Sequence, residues 1–110
     1  MENNFRKIYD KKSFEEWLAR SVTSPVVVFK HSLTCPLSAQ AYEEMSKLGI
    51  EVVLVEVQRA GELSRAIAEH VNIEHESPQV MVFRNGKPVW HASHFNVRAE
   101  TVNGVIQQNS

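Results

Sequence analysis

Strand-like and helix-like patterns alternate along this 110-residue chain, and this alternation limits its fold more than any other feature. The apolar, β-branched run Val26–His31 is typical of a central strand that is covered on both faces. Apolar residues then recur every three or four positions, which predicts a helix that ends near Gly49; they are Leu37, Ala41, Met45 and Leu48. A strand followed by a helix and another strand builds parallel sheet, so the pattern predicts an α/β fold.

The second half of the chain continues the alternation and ends it with a hairpin. Glu51–Val57 has the composition of a strand, and the apolar positions of Leu63–Val71 fall on one helical face. Two further strand patterns, Gln79–Arg84 and Lys87–Ala92, flank Asn85–Gly86. This dipeptide suits the positive φ angles of a tight type I′ turn, so an antiparallel hairpin is predicted.

The two ends of the chain complete the predicted order. A short strand is expected at Phe5–Ile8, and the Ser-x-x-Glu capping box that begins at Ser13 predicts a helix to about Arg20. Pro88 cannot donate to a ladder and indicates an edge strand. Asn96 is expected to cap a last helix over Val97–Gln107. The predicted order is β-α-β-α-β-α-β-β-α, a mixed central sheet with helices on both faces.

Composition narrows the classes of function. The length suits a single domain over residues 1–110, and 43% hydrophobic and 23% charged residues are close to globular averages. With a net charge of -1, the protein has no overall positive potential that would attract nucleic acid. The longest purely apolar run, Val26–Phe29, is too short to span a membrane, and the polar start predicts a cytoplasmic location. A single cysteine cannot form an intramolecular disulfide, which fits a reducing compartment.

That cysteine, Cys35, is predicted to lie in the turn between the central strand and the following helix. Pro36 suits the first helical position, which makes Cys35 the cap. Unpaired backbone N–H groups and the helix dipole favour a thiolate there, and the thiolate is the reactive form. Ser77–Pro78 comes just before the hairpin, where a proline offers a docking edge for an extended substrate.

Four separated patches of the sequence resemble one family. The element order, the cysteine turn and the proline before the hairpin resemble the thioredoxin fold over nearly the whole chain. Within that superfamily, the patches are similar to the monothiol bacilliredoxins; they are Phe29–Ser32, Thr34–Ser38, His75–Gln79 and Ala92–Phe95. The family's Thr-Cys-Pro-Ile-Ser motif has Leu37 in place of isoleucine here. Serine at position 38 stands where a dithiol thioredoxin has its second cysteine.

The resemblance implies removal of bacillithiol, a low-molecular-weight thiol, from proteins that carry it as a mixed disulfide. The Cys35 thiolate would attack the bacillithiol sulfur and release the client thiol. Ser38 cannot resolve the adduct, so bacillithiol or another protein thiol must act as reductant. The implied partners are bacillithiolated clients and this thiol, with bacillithiol as co-substrate and no bound cofactor.

Several residues are candidates for supporting roles around Cys35. The resemblance implies that Pro78 is cis and faces the sulfur. Side-chain and backbone support for the thiolate and the substrate is expected from Thr34, Pro36, Ser38, Ser77 and Pro78. His31 and His75 are candidates for tuning the thiol, and Arg59 or Lys87 for attracting the malyl carboxylates. No metal site is expected, because His91 and His94, three apart in a strand, point to opposite faces.

Two other functions remain open from the sequence. Monothiol glutaredoxins carry an iron–sulfur cluster between two subunits, and Cys35 supplies the one thiolate that each subunit needs. Those carriers usually have a Cys-Gly-Phe-Ser site, from which Pro36 and Leu37 depart. A binding module with a non-catalytic cysteine is the other alternative, and it predicts full tolerance of Cys35→Ser.

Overall fold

The computed structural model describes residues 3–110 of the chain. Its strands are β1 (Phe5–Lys7), β2 (Val26–His31), β3 (Val52–Glu56), β4 (Gln79–Arg84) and β5 (Lys87–Ser93). Its α-helices are α1 (Lys11–Arg20), α2 (Pro36–Ser46), α3 (Gly61–Val71) and α4 (Ala99–Gln108). A 3₁₀ turn, His94–Asn96, joins β5 to α4. Over residues 3–110, none of the helices is long and apolar enough to cross a membrane.

The strands form one mixed sheet in the order β1-β3-β2-β4-β5. β1, β3 and β2 run parallel, whereas β4 pairs antiparallel with both β2 and β5. β2 therefore lies in the middle of the sheet, and all six of its residues are buried. The predicted α/β fold, its mixed sheet and its element order are confirmed.

Helices cover both faces of the sheet, because successive side chains of each strand point to opposite sides. On one face, α1 and α3 bury Phe14, Leu63 and Ile67 against alternate residues of β2, β3 and β4. On the other face, α2 and α4 bury Met45 and Val102 against the remaining residues. The sheet therefore lies between two hydrophobic cores.

The hairpin confirms a prediction that depends on local chemistry alone. Asn85 and Gly86 have φ angles of 57° and 77°, as a type I′ turn requires. Pro88 lies in β5, at the edge of the sheet, as expected.

The predicted caps of α1 and α4 are wrong. The N-cap of α1 is Asp10, whose carboxylate accepts the N–H of Ser13 at 2.8 Å, so the helix begins before the predicted capping box. Asn96 ends the 3₁₀ turn and does not cap α4. The first N–H of α4, that of Ala99, instead donates to Glu44 Oε1 on α2 at 2.9 Å. A side chain distant in sequence thus replaces the local cap.

The carboxyl ends of the three parallel strands lie side by side at one end of the sheet. His31 and Glu56 are register partners at the ends of β2 and β3, and Lys7 ends β1 beside them. Cys35 follows β2 at this same end of the sheet. Lys87 begins β5 at the opposite end of the strands, next to the hairpin turn. The prediction that Lys87 attracts the malyl carboxylates of a ligand on Cys35 is therefore wrong.

Candidate functional site

Cys35 occupies the N-cap position of α2 with an extended backbone, φ −95° and ψ 124°. Pro36 is the first helical residue, as predicted. The Cys35 carbonyl accepts the N–H groups of Ser38 at 3.0 Å and Ala39 at 3.2 Å, which fixes the start of the helix. The thiol is partly exposed. The N-cap position places Cys35 at the positive end of the α2 dipole.

Two side chains hold the loop between β2 and Cys35. Ser38 is fully buried, and its Oγ accepts the N–H of Ser32 at 3.1 Å. Gln58 donates from Nε2 to Ser32 Oγ at 2.8 Å and accepts the Leu33 N–H at 3.0 Å through Oε1. Thr34 Oγ1 lies 3.3 Å from Gln58 Nε2, so Thr34 joins this network and makes no side-chain cap. Ser38 and Gln58 thereby fix the backbone on which the sulfur sits.

A cavity of about 330 Å³ opens beside Cys35. Its walls include His31, Tyr42, Glu56 and Lys7. The His31 and Tyr42 rings lie 5.0 Å apart between centroids. Sequence reasoning missed Tyr42, Glu56 and Lys7. The last residues of the predicted parallel strands were a signal for Glu56 and Lys7, because ligands in open α/β sheets bind beyond the carboxyl ends of the strands. The cavity offers a small ligand one thiol, one carboxylate, one cation and two aromatic faces.

His31 is a buried, neutral member of this cavity. Burial lowers the pKa of its imidazole, and the nearby carboxylate of Glu56 opposes this shift only in part. Nδ1 has no hydrogen-bond partner among residues 3–110. A neutral ring with a free nitrogen can accept or donate one hydrogen bond to a ligand. His31, which the sequence made a candidate for tuning the thiol, thus lies in the cavity beside Cys35.

His75 lies on the other face of the sheet and not in the cavity of Cys35. Its Nδ1 is 3.2 Å from Lys30 Nζ and 3.1 Å from Ser64 Oγ on α3. Lys30 is 1% exposed and also donates to the Ser64 carbonyl at 2.9 Å. Burial and the Lys30 charge both lower the pKa of His75, which keeps the ring neutral as an acceptor. His75 thus anchors the segment that leads to Pro78.

The Ser77–Pro78 peptide bond is cis, as expected. Pro78 is buried, and its carbonyl accepts the N–H of His94 at 2.9 Å. His94 begins the 3₁₀ turn with φ 55° and places Phe95, which is 70% exposed, across a groove from Leu37 of α2. This groove is a second surface near the start of α2, separate from the cavity of Cys35.

Residues 3–110 contain no group of three or more His, Cys, Asp or Glu side chains placed to hold a metal ion. His91 lies on β5 opposite Met81, whereas His94 follows the end of that strand.

Comparison with known proteins gives a family and a fold. The family model of the monothiol bacilliredoxins matches residues 6–102. A solved structure described as that of a proposed oxidoreductase with a thioredoxin fold is 32% identical, with a TM-score of 0.86 over 92% of each chain. Thioredoxin from Fasciola hepatica is 14% identical, with a TM-score of 0.77 over 96% of this chain and 99% of that one. Thioredoxin f2 from Chlamydomonas reinhardtii is 20% identical, with a TM-score of 0.73 over 96% of each. The last two show the fold alone.

Proposed function

Because the chain belongs to the monothiol bacilliredoxin family, we propose that it is a thiol-disulfide oxidoreductase that removes bacillithiol from protein mixed disulfides. The observation that carries the proposal is the position of the only cysteine, which caps α2 and opens onto a cavity of about 330 Å³. The N-terminus of a helix is a typical setting for a reactive cysteine, and the cavity gives room for a small thiol beside the sulfur.

The first step is an exchange between the Cys35 thiolate and the mixed disulfide of the client. The Cys35 thiolate attacks the bacillithiol sulfur of the client, so a new sulfur–sulfur bond forms to Cys35 and the bond to the client breaks. The client leaves as a thiolate and takes a proton from water. The sum of disulfides and thiols is unchanged, so this step needs no further oxidant or reductant.

The second step uses an external thiol. Ser38 stands where a dithiol enzyme has its resolving cysteine, but its hydroxyl is buried and engaged with the Ser32 N–H. A hydroxyl does not displace a disulfide at neutral pH. A second bacillithiol, or a protein thiol, attacks the bacillithiol sulfur on Cys35 and releases the Cys35 thiolate. With bacillithiol as reductant the by-product is its symmetric disulfide.

The surroundings of Cys35 support the two kinds of partner that the cycle needs. The small cavity suits the low-molecular-weight thiol, and the exposed Leu33 and Phe95 offer apolar contact to a client protein. Arg59 follows β3 at the same end of the sheet as Cys35. Its side chain is 60% exposed, so it can attract the malyl carboxylates. A reducing cytoplasm is the compartment in which a monothiol cycle of this type operates.

Turnover with a bacillithiolated client and free bacillithiol tests the proposal. We expect steady release of client thiol by the wild type and no release above background by Cys35→Ser. Ser46→Ala, on the exposed end of α2, is the matched control and should match the wild type. Full activity of Cys35→Ser would overturn the proposal.

A further inference from the structure

Glu56, at the end of β3, is a buried carboxylate whose Oε1 atom lacks a hydrogen bond. The residue is 6% exposed, and Oε1 has no hydrogen-bond partner within residues 3–110. Two cations approach it loosely, with Lys7 Nζ 3.8 Å from Oε2 and Arg59 Nη1 3.8 Å from Oε1. Both distances exceed those of hydrogen bonds. A buried acceptor without a donor is costly, so its presence calls for a reason.

The carboxylate lines the cavity into which Cys35 opens. His31 lines the same cavity, is 8% exposed and has an unpartnered Nδ1. The lysine at the rim, Lys7, is about half exposed. The cavity thus has buried, unsatisfied polar groups among its deeper residues and a positive charge at its mouth.

We propose that Glu56 binds the ammonium group of a cysteine-derived low-molecular-weight thiol while the sulfur of that thiol is bonded to Cys35. This inference rests on the proposed function, because it concerns the small thiol that occupies the site. In a thiol built on cysteine whose amino group is free, two carbon atoms separate the ammonium group from the sulfur. A disulfide between such a thiol and Cys35 therefore brings an ammonium group next to the cavity that Glu56 lines.

An ammonium group meets the requirements of the site better than a hydroxyl. It is a donor only, and its charge opposes that of the carboxylate, which gives the stronger class of hydrogen bond. Lys7 and Arg59 already offset the charge of Glu56 but stay outside hydrogen-bonding distance. They leave the acceptor positions of the carboxylate to a ligand, while their own side chains are 48% and 60% exposed.

The reaction of the reduced protein with two simple symmetric disulfides tests this assignment. Cystamine carries an ammonium two carbons from each sulfur, and bis(2-hydroxyethyl) disulfide carries a hydroxyl at that place. In both reactions the Cys35 thiolate forms a bond to one sulfur and expels the other as a thiolate, which water protonates. Intact mass spectrometry gives the rate constant for each adduct, and their ratio measures the preference for ammonium.

Glu56→Gln should lower the ratio of the cystamine rate to the hydroxyethyl rate about fivefold to tenfold relative to the wild type. Glu51→Gln is the matched control, since it removes the same charge from the other end of the β3 segment, at an exposed site. Its ratio should stay at the wild-type value. Changes in thiolate reactivity alter both rates alike and cancel in the ratio.

An unchanged ratio in Glu56→Gln, or an equal fall in Glu51→Gln, would overturn the inference. Circular dichroism checks that each variant is folded, and Glu56→Asp serves if the glutamine variant is not. The aspartate keeps the charge but withdraws it by one carbon, so a smaller fall in the ratio is expected, and no fall would count against the inference. Since neither reagent is bacillithiol, this result is independent of the turnover test with a bacillithiolated client.

Discussion

Replacing Lys30 should change how the stability of the protein depends on pH. The Lys30 ammonium is 1% exposed, and no carboxylate within residues 3–110 lies within ion-pair distance of it. Its hydrogen-bond partners are the Ser64 carbonyl and His75 Nδ1, both uncharged. Burial lowers the pKa of Lys30 from 10.5 to about 8. The folded protein therefore holds this charge at a cost that the unfolded chain does not bear.

The size and sign of the effect follow from that difference. Between about pH 8 and 10.5 the unfolded chain binds the proton while the folded protein has lost it. The unfolded state then binds more protons, so the contribution of Lys30 to stability rises with pH across this window. Each pKa unit corresponds to about 1.4 kcal/mol, so the full difference amounts to about 3 kcal/mol.

Urea unfolding of Lys30→Met, beside the wild type, measures this contribution. Below pH 8 we expect Lys30→Met to be more stable than the wild type. This gain is reduced in part, because the Ser64 carbonyl and His75 Nδ1 lose their hydrogen-bond donor. That relative gain should shrink by about 3 kcal/mol as the pH rises through the window. Lys87→Met, which removes an exposed lysine, should show no such trend. Parallel pH profiles for Lys30→Met and the wild type would refute the argument.

Three other substitutions test the surroundings of Cys35. Ser38→Ala leaves the buried Ser32 N–H without its acceptor, so urea unfolding should show a loss of about 1–3 kcal/mol; a stability equal to the wild type would contradict the anchoring role. Phe95→Ala should slow the reaction with a protein mixed disulfide but not with cystamine, and equal slowing of both would exclude a client contact. Because burial lowers the pKa of His31, the wild type should lose stability as the pH falls below 6.5. His31→Phe should lose less in urea titrations over that range, and an equal loss would contradict the assignment.

Features that depend on neighbouring residues could be predicted from the sequence. Asn85–Gly86 fixes its turn through the conformational freedom of two adjacent residues, and Pro36 marks the start of α2 through its own fixed φ. The run Val26–His31 indicates a central strand because every one of its residues must be buried. The element order, and with it the placement of Cys35, follows from these local signals.

Features that depend on distant partners could not be predicted. The cap of α4 comes from Glu44, 55 residues before Ala99, so the local candidate Asn96 was wrong. The loop before Cys35 is held by Gln58, which lies 26 residues after its partner Ser32 in the chain. Successive residues of β2 point to opposite faces of the sheet, so Lys30 and His31 lie on different sides. The sequence does not say which of these sides holds the thiol. His75 contacts Lys30 and therefore lies on the face away from Cys35, although its position in the chain suggested that it was near the thiol.

The central claim is that Cys35 accepts bacillithiol from a client, and a single turnover without reductant tests it most directly. Reduced protein is mixed with one equivalent of a bacillithiolated client, and intact mass spectrometry follows both chains. We predict that one bacillithiol moves to Cys35 as one client thiol appears, with no further change until a thiol is added. A client that keeps its adduct while Cys35 stays free, or one that loses it equally to Cys35→Ser, would contradict the claim.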